Sequence, residues 1–160
     1  MKEQGTMTQT QVEWLKADEQ VAWRNYLRGS ARLSAQIGND LYEMHRLTLN
    51  KYEVLVRLSE TEGWTMRMSD LADDLVHSRS RLTRTVASLE QEGLVVREAC
   101  SGDGRGRNCR MTDDGYALLQ KLSPSHVGSV REHLLDKIGH DDMITLGRIM
   151  TKLLDEPTLA

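Results

Sequence analysis

What most constrains this chain is a change of period near its middle. Over Asp70–Val76 and Arg79–Glu92 the apolar residues keep helical spacing in two short segments, broken at His77-Ser78. Leu71, Ala72 and Leu75 face inward on the first, with Ser69 as its expected N-cap. Leu82, Val86 and Leu89 stand at i, i+4 and i+7 on the second, and Gly93 sits where a left-handed C-terminal cap belongs. Directly afterwards Leu94–Cys100 reads as a strand. Ser101–Arg107 is a glycine-rich turn, and Asn108–Met111 returns as a second strand. Two helices predicted over about Asp18–His45 and Thr48–Glu62 precede this unit. After it, Thr112 caps a helix that reaches Pro124 and continues, beyond a kink, through Val127, Val130, Leu134 and Ile138. A last helix opening at Gly139-His140-Asp141-Asp142 carries Met143, Leu146, Met150 and Leu153. The expected fold is mainly α with a small β-hairpin wing, in the order α-α-α-α-β-β-α-α.

Length and composition narrow the class. At 160 residues and 39% hydrophobic the chain reads as one domain, residues 1–160, with a genuine core. No stretch approaches the roughly 18 apolar residues of a membrane span, and the first residues lack an apolar leader, so a cytoplasmic location without membrane contact is expected. Net charge is −3, which advertises no global field for nucleic acid. The average hides an asymmetry. Between His77 and Met111 stand seven arginines (79, 81, 84, 97, 105, 107 and 110) against Glu90, Glu92, Glu98 and Asp103. Arginine offers a planar fork of donors suited to phosphates and guanine edges.

Two short helices joined by a tight turn, followed by a hairpin with arginines at its tip, describe a winged helix-turn-helix. In that motif the second helix enters the major groove of double-stranded DNA. Arg79, Ser80, Arg81, Thr83, Arg84 and Thr85 occupy the outward side, and no acid occurs from Arg79 to Leu89. A winged-helix module that binds protein instead of DNA is the competing class; groove-facing positives that are all arginine argue against it.

The stretch Leu71-Ala72-x-x-Leu75-x-x-Ser78-Arg79-Ser80-Arg81-Leu82-Thr83-Arg84-x-Val86-x-x-Leu89-Glu90-x-Glu92-Gly93-Leu94-Val95 resembles the core of the MarR family of bacterial transcriptional regulators. Asp103-Gly104-Arg105, followed by Met111-Thr112, resembles that family's wing. Helix order is similar over roughly Ala17–Leu154. The resemblance implies a homodimer on a pseudo-palindromic operator, repression more than activation, and no enzymatic activity. It implies dimerisation helices at about 12–47 and 113–155 around a DNA-binding lobe at about 48–112. Arg79, Ser80, Arg81, Thr83 and Arg84 would meet bases or flanking phosphates. Arg105 and Arg107 would enter or flank the minor groove, with Asp103 orienting Arg105. One departure is Val76-His77, where the family often has glycine and an aliphatic residue; Val76 is expected to pack and His77 to lie partly exposed.

Gly102, Gly104 and Gly106 join two strands with no Lys-Ser/Thr pair after them, so they read as turn glycines and not as a nucleotide loop. His126 and His133 are seven apart and no histidine pair has i, i+4 ligand spacing, so neither metal nor cofactor is expected. No nucleophile–histidine–acid set can be placed in one cleft. Trp23, Tyr26, Tyr42 and Tyr52 either line a pocket for a small aromatic or phenolic effector, as in the family, or fill the core in place of the absent phenylalanine. Cys100 and Cys109 are directly opposed if the hairpin centres on Gly104 and Arg105, which makes them a candidate redox pair; a one-residue slip separates them, and they are then strand residues.

Overall fold

The computed structural model describes residues 12–100 and 103–154, with side chains except those of 100–105. The chain divides between Arg32 and Leu33 into two units. The first is the helical stretch before that point, where Trp23 and Tyr26 stack with centroids 5.8 Å apart. Helix α1 (Ala17–His45) runs through the division.

In the second unit, α2 (Leu49–Ser59) is followed by a 3-10 turn (Glu62–Trp64) and a short strand β1 (Thr65–Arg67). Then come α3 (Met68–Asp74), α4 (Arg79–Gln91), β2 (Val95–Cys100) and β3 (Asp103–Met111). Helix α5 (Asp113–Val130) continues through a π-helical turn (Arg131–Leu135) into α6 (Asp136–Ile138), and Gly139 separates it from α7 (His140–Thr151). The strands form an antiparallel sheet in the order β1-β3-β2. The helices, the wing and the mainly helical class are as expected. Strand β1 is not: three residues, Thr65-Met66-Arg67, carry too little pattern to read, and only pairing with Asn108–Arg110 makes them a strand.

The core lies where α2, α3 and α4 meet β2, β3 and α5. Leu55, Leu58, Leu71, Leu82, Leu89 and Leu122 are among its largest closed side chains. Removing each from water contributes about 1.5–3 kcal/mol. The cap of α4 closes as expected. Gly93 takes φ 73°, its N–H donates to Glu90 O (3.0 Å), and Leu94 N–H donates to Leu89 O (3.0 Å). Thr112 then ties this turn to α5: its hydroxyl donates to Gly93 O (2.7 Å) and accepts from Gly115 N–H (3.1 Å). Gly115 fits there because it has no side chain; a Cβ would stand 2.2 Å from Leu94 O.

Three local expectations are corrected. Helix α3 starts at Met68 after Arg67, so Ser69 is not its cap; its hydroxyl donates to Asp70 Oδ1 (2.9 Å). The helix continues through Pro124, and the irregularity falls later, in the π-helical turn. Val76 does not pack. It takes φ 51° and is 82% exposed, because the tight turn demands a left-handed residue there. His77 packs instead, its side chain 8% exposed, with Nε2 3.8 Å from Glu53 Oε2.

Candidate nucleic-acid interface

Helix α4 begins at Ser78, whose hydroxyl accepts from Arg81 N–H at 3.3 Å. The cap releases the first turn into solvent while Leu82, Val86 and Leu89 hold the rear face in the core. At about 100° per residue, Ser80 and Arg84 project from the side opposite that stripe, with Gln91 two turns beyond Arg84. Gln91 carries an amide suited to base edges and escaped the sequence reading, because it lies at the helix end beyond the arginine run. Arg79 and Thr83 lie on the flank nearer the wing. Arg81 lies on the other flank, in line with Ser88, whose hydroxyl donates to Glu92 (3.3 Å).

The hydroxyls on this face are already partly engaged. Thr83 donates to Arg79 O (2.8 Å) and Thr85 to Arg81 O (3.2 Å). Their protons serve the helix, and their oxygen lone pairs and methyl groups remain for an incoming partner. Arg84 Nε donates to Ser80 O at 3.4 Å, a weak contact that leaves most of the fork free.

The acids of the segment lie behind this face. Glu90 accepts from Arg97 Nε (2.9 Å), Nη2 (2.5 Å) and backbone N–H (3.0 Å), joining the end of α4 to β2. Those hydrogen bonds hold the Glu90 carboxyl below its ordinary range. Glu98 accepts from Arg110 Nε (3.0 Å) and Nη2 (2.8 Å), and Glu92 is paired with Lys51 of α2. Arg79, Arg81, Arg84 and Arg107 are exposed, and none has a carboxylate within 4 Å among the described residues. The front is therefore more basic than the linear count implied, because three of the four acids neutralise cations elsewhere. The side chains of Asp103 and Arg105 lie outside the described residues, so their expected ion pair does too.

Between the front and the wing lies a groove of about 360 Å³, bordered by Arg67, Ser69, Arg79, Thr83, Arg97 and Arg107. Behind the turn that joins α3 to α4 is a second cavity of about 280 Å³, lined by Leu49, Tyr52, Glu53, Val56, Arg57, Leu75 and His126. Tyr52 packs on the His126 ring with centroids 4.3 Å apart. Burial raises the Glu53 carboxyl and lowers the His126 imidazole relative to their ordinary ranges. Of Trp23, Tyr26, Tyr42 and Tyr52, the last lines this cavity. Trp23 and Tyr26 stack on each other in the first unit, and Tyr42 is exposed with the Arg46 guanidinium 5.4 Å from its ring centroid.

The expected opposition of Cys100 and Cys109 is overturned by the strand register. Cys109 pairs with Arg97, and Cys100 pairs with Asp103 across a register shift after Ala99. Three residues along β2 separate Cys100 from the partner of Cys109, about 10 Å of strand, beyond the Cα spacing a disulfide tolerates. The hairpin centre lies nearer Cys100 than the glycines suggest, and β3 begins at Asp103 instead of Asn108. Cys109 is a core residue with no exposure, and burial pushes its thiol up to about 12.

A capped helix with an arginine-bearing outer face, a tight turn to a preceding helix and a β-hairpin beside it define a winged helix-turn-helix protein. Comparison with known proteins agrees. The sequence model of the MarR family matches residues 46–106. AbsC, a MarR family transcriptional regulator from Streptomyces coelicolor, is 39% identical with a TM-score of 0.81, covering 90% of this chain and 97% of that one. Sco3205, a MarR family regulator from the same organism solved in complex with DNA, is 34% identical with a TM-score of 0.85, covering 94% and 95%. The HTH-type transcriptional regulator PecS of Dickeya dadantii is 27% identical over 95 residues, 59% of this chain and 57% of that regulator's length. The chain belongs to the MarR family of transcriptional regulators. Among its described residues no helix is long and apolar enough to cross a membrane.

Proposed function

We propose that this regulator is a homodimer that binds double-stranded DNA sequence-specifically at a pseudo-palindromic operator, acts as a repressor, and is released by a small-molecule effector. One observation carries the DNA reading: the outward face of α4 presents Ser80 and Arg84, flanked by Arg79, Thr83 and Arg81, with no opposing acid among the described residues. A DNA complex of the similar regulator Sco3205 supports it. Residues 48–112 form the DNA-binding lobe in this reading. Arg105 and Arg107 of the wing reach the minor groove or its phosphates, with Asp103 orienting Arg105.

The helices at 12–47 and 113–155 make the dimer. Support comes from apolar side chains left in water by a single copy: Trp14, Leu15 and Val21 early in the chain, and Ile144, Ile149 and Leu153 in and after α7. The effector reading rests on the cavity behind the turn. Leu49, Val56 and Leu75 supply apolar walls, the Tyr52 and His126 rings an aromatic surface, and Glu53 an acceptor. A neutral phenol suits it: its hydroxyl donates to Glu53, whereas a carboxylate-bearing aromatic meets the Glu53 charge.

The test starts from selection of bound fragments from random duplex DNA, followed by fluorescence anisotropy on the selected site. Arg84→Ala is expected to weaken binding by about 1–3 kcal/mol per half-site while thermal stability stays unchanged. Parent protein that selects no sequence sinks the reading and leaves the protein-interaction class. Light scattering at moderate salt is expected to give twice the chain mass; a monomer there removes the dimer.

A further inference from the structure

We infer that His77 is a positioning residue for α4 that responds to protons: a neutral ring fits the turn as it stands, and a ring that takes up a proton displaces the turn and weakens DNA binding. The effect on DNA rests on the reading proposed above; the displacement of the turn does not.

Three elements meet at this residue. Its backbone N–H donates to Ala72 O of α3 (2.9 Å), and its ring faces Glu53 of α2, with Nε2 3.8 Å from Oε2. Ser78, directly after it, caps α4. The side chain is more than nine-tenths buried, and Nδ1 is closed off with no hydrogen-bond partner among the described residues. That unpartnered nitrogen decides how the ring behaves. A neutral imidazole has one N–H and one lone pair. With the N–H on Nε2, towards the Glu53 carboxylate, Nδ1 holds only the lone pair. A charged ring carries N–H on both nitrogens. Its Nε2–H gains a charge-assisted bond to Glu53, while its Nδ1–H is left buried without an acceptor. The present arrangement does not meet both demands, so the charged ring moves and takes the turn with it.

The turn can yield. Val76, just before His77, holds a φ of 51° with its side chain in water, so on moving it gives up strain and no packing. The bond of the Ser78 cap is long, at 3.3 Å. Leu82 anchors α4 in the core one turn further on, so displacement falls on the first turn, where Arg79, Ser80 and Arg81 stand. Glu53 is the charge to which the ring answers: burial holds its carboxyl above the ordinary range, and the charge on His77 draws it back. The other charged groups on the surrounding elements are engaged or face elsewhere. Arg57 of α2 is paired with Asp74 of α3 and with Glu60. Asp70 and Asp73 of α3 border an open cavity with Arg57, His126 of α5 packs on Tyr52, and Arg79 of α4 is exposed.

Two measurements on the full chain decide it. The first is anisotropy on the selected duplex at constant ionic strength from about pH 8 to 6, where imidazole gains charge. Added positive charge by itself tightens DNA binding as pH falls. The opposite is expected here: parent affinity weakens by about tenfold per half-site, the effect of one buried N–H without an acceptor. His77→Leu and Glu53→Gln are each expected to lose this weakening, the second because a buried ring with no carboxylate beside it stays neutral. Glu53 is only half-buried, so its substitution carries the test even if His77→Leu does not fold. The second measurement is NMR of DNA-free protein. The backbone amides of residues 76–81 are expected to move over the same pH range in the parent and to stay in place in both variants. Parent affinity that is level or rises in acid overturns the proposal. So does weakening that persists in His77→Leu, or that His133→Gln removes instead, since that ring is bonded to Asp40 of α1 (2.7 Å). Amides that stay fixed in the parent, or still move in Glu53→Gln, overturn it too. Parent protein that binds no duplex defeats the DNA reading instead, and the amides then decide the turn.

Discussion

On the outward side of α4, Arg79, Arg81 and Arg84 stand in water with no carboxylate partner among the described residues. Across the seam behind it, Arg97 and Arg110 are each held by a glutamate, and Lys51 by Glu92. Lys51 aside, the two regions are built from arginine and glutamate within about thirty positions. What separates them is whether an acid lies within reach once the chain has folded. A paired arginine on a partly exposed seam gives the wing a defined angle to α4 and adds little affinity for anything else. An unpaired one keeps its fork for a ligand. A linear charge count therefore misplaces charge: the stretch sums to +3, yet three of its four acids pair behind the face on which Arg79, Arg81 and Arg84 stand.

That contrast can be attacked from the seam side. The largest effect concerns the thiol beneath it. Cys109, opposite Arg97 and fully buried, has its thiol pushed from 9.0 to about 12, which lowers its thiolate fraction about a thousandfold. In a Cys100→Ser variant, native protein should not react with a thiol-directed reagent over hours, and denatured protein should react with one equivalent. Fast native labelling breaks the claim that the seam is closed.

Next in size is Gly115→Ala. The added Cβ meets the carbonyl of Leu94 at 2.2 Å, and backbone there cannot yield without opening the joint between the α4 cap and α5. A loss of about 3 kcal/mol in urea unfolding is expected. A near-neutral result shows that the joint can shift and that the wing is less rigidly held.

A smaller effect of opposite sign is expected at the turn into α4. Val76 holds φ 51° with its side chain in water, so glycine there removes backbone strain and sacrifices no packing. Val76→Gly should stabilise the fold by about 1 kcal/mol, read as a rise in the thermal midpoint.

The smallest effects are those of pH, and their signs differ between the paired and the buried carboxylates. Arg97 holds the Glu90 carboxyl below 4.5, and Ser129 and His133 hold that of Asp40 below 3.8 by hydrogen bonds of 2.6 and 2.7 Å. Both contributions are complete above those values and are lost as pH falls through the lowered ones. Glu53 runs the other way. Burial raises its carboxyl above 4.5, so its contribution is present below 4.5 and lost as pH rises through the raised value. Urea midpoints from pH 7 to 3 should therefore fall less steeply at the acid end in Glu90→Gln. Glu53→Gln should gain most at neutral pH. Identical profiles for both variants and the parent would contradict these pairings.

Much of this molecule was written in residue order. The spacing of Leu82, Val86 and Leu89 determines α4 and which way it faces. Gly93 determines where it ends, Thr112 where α5 begins, and the absence of acid from Arg79 to Leu89 which surface stays cationic. All of these depend on neighbours within one or two helical turns, and local periodicity reports them. The rest depended on partners distant in sequence. Strand β1 exists because β3 lies beside it. The hairpin register follows from the whole strand pairing and its shift after Ala99, and it parts Cys100 from Cys109 although a count centred on the glycines joins them. Val76 takes a conformation that its own side chain disfavours, because α3 and α4 are anchored in the core by Leu71 and Leu82 and leave the turn no other path. The four-arginine groove, drawn from β1, α4, β2 and β3, and the cavity that joins Tyr52 to His126 appear in no window of the sequence. Each is made by long-range packing, which local spacing does not encode.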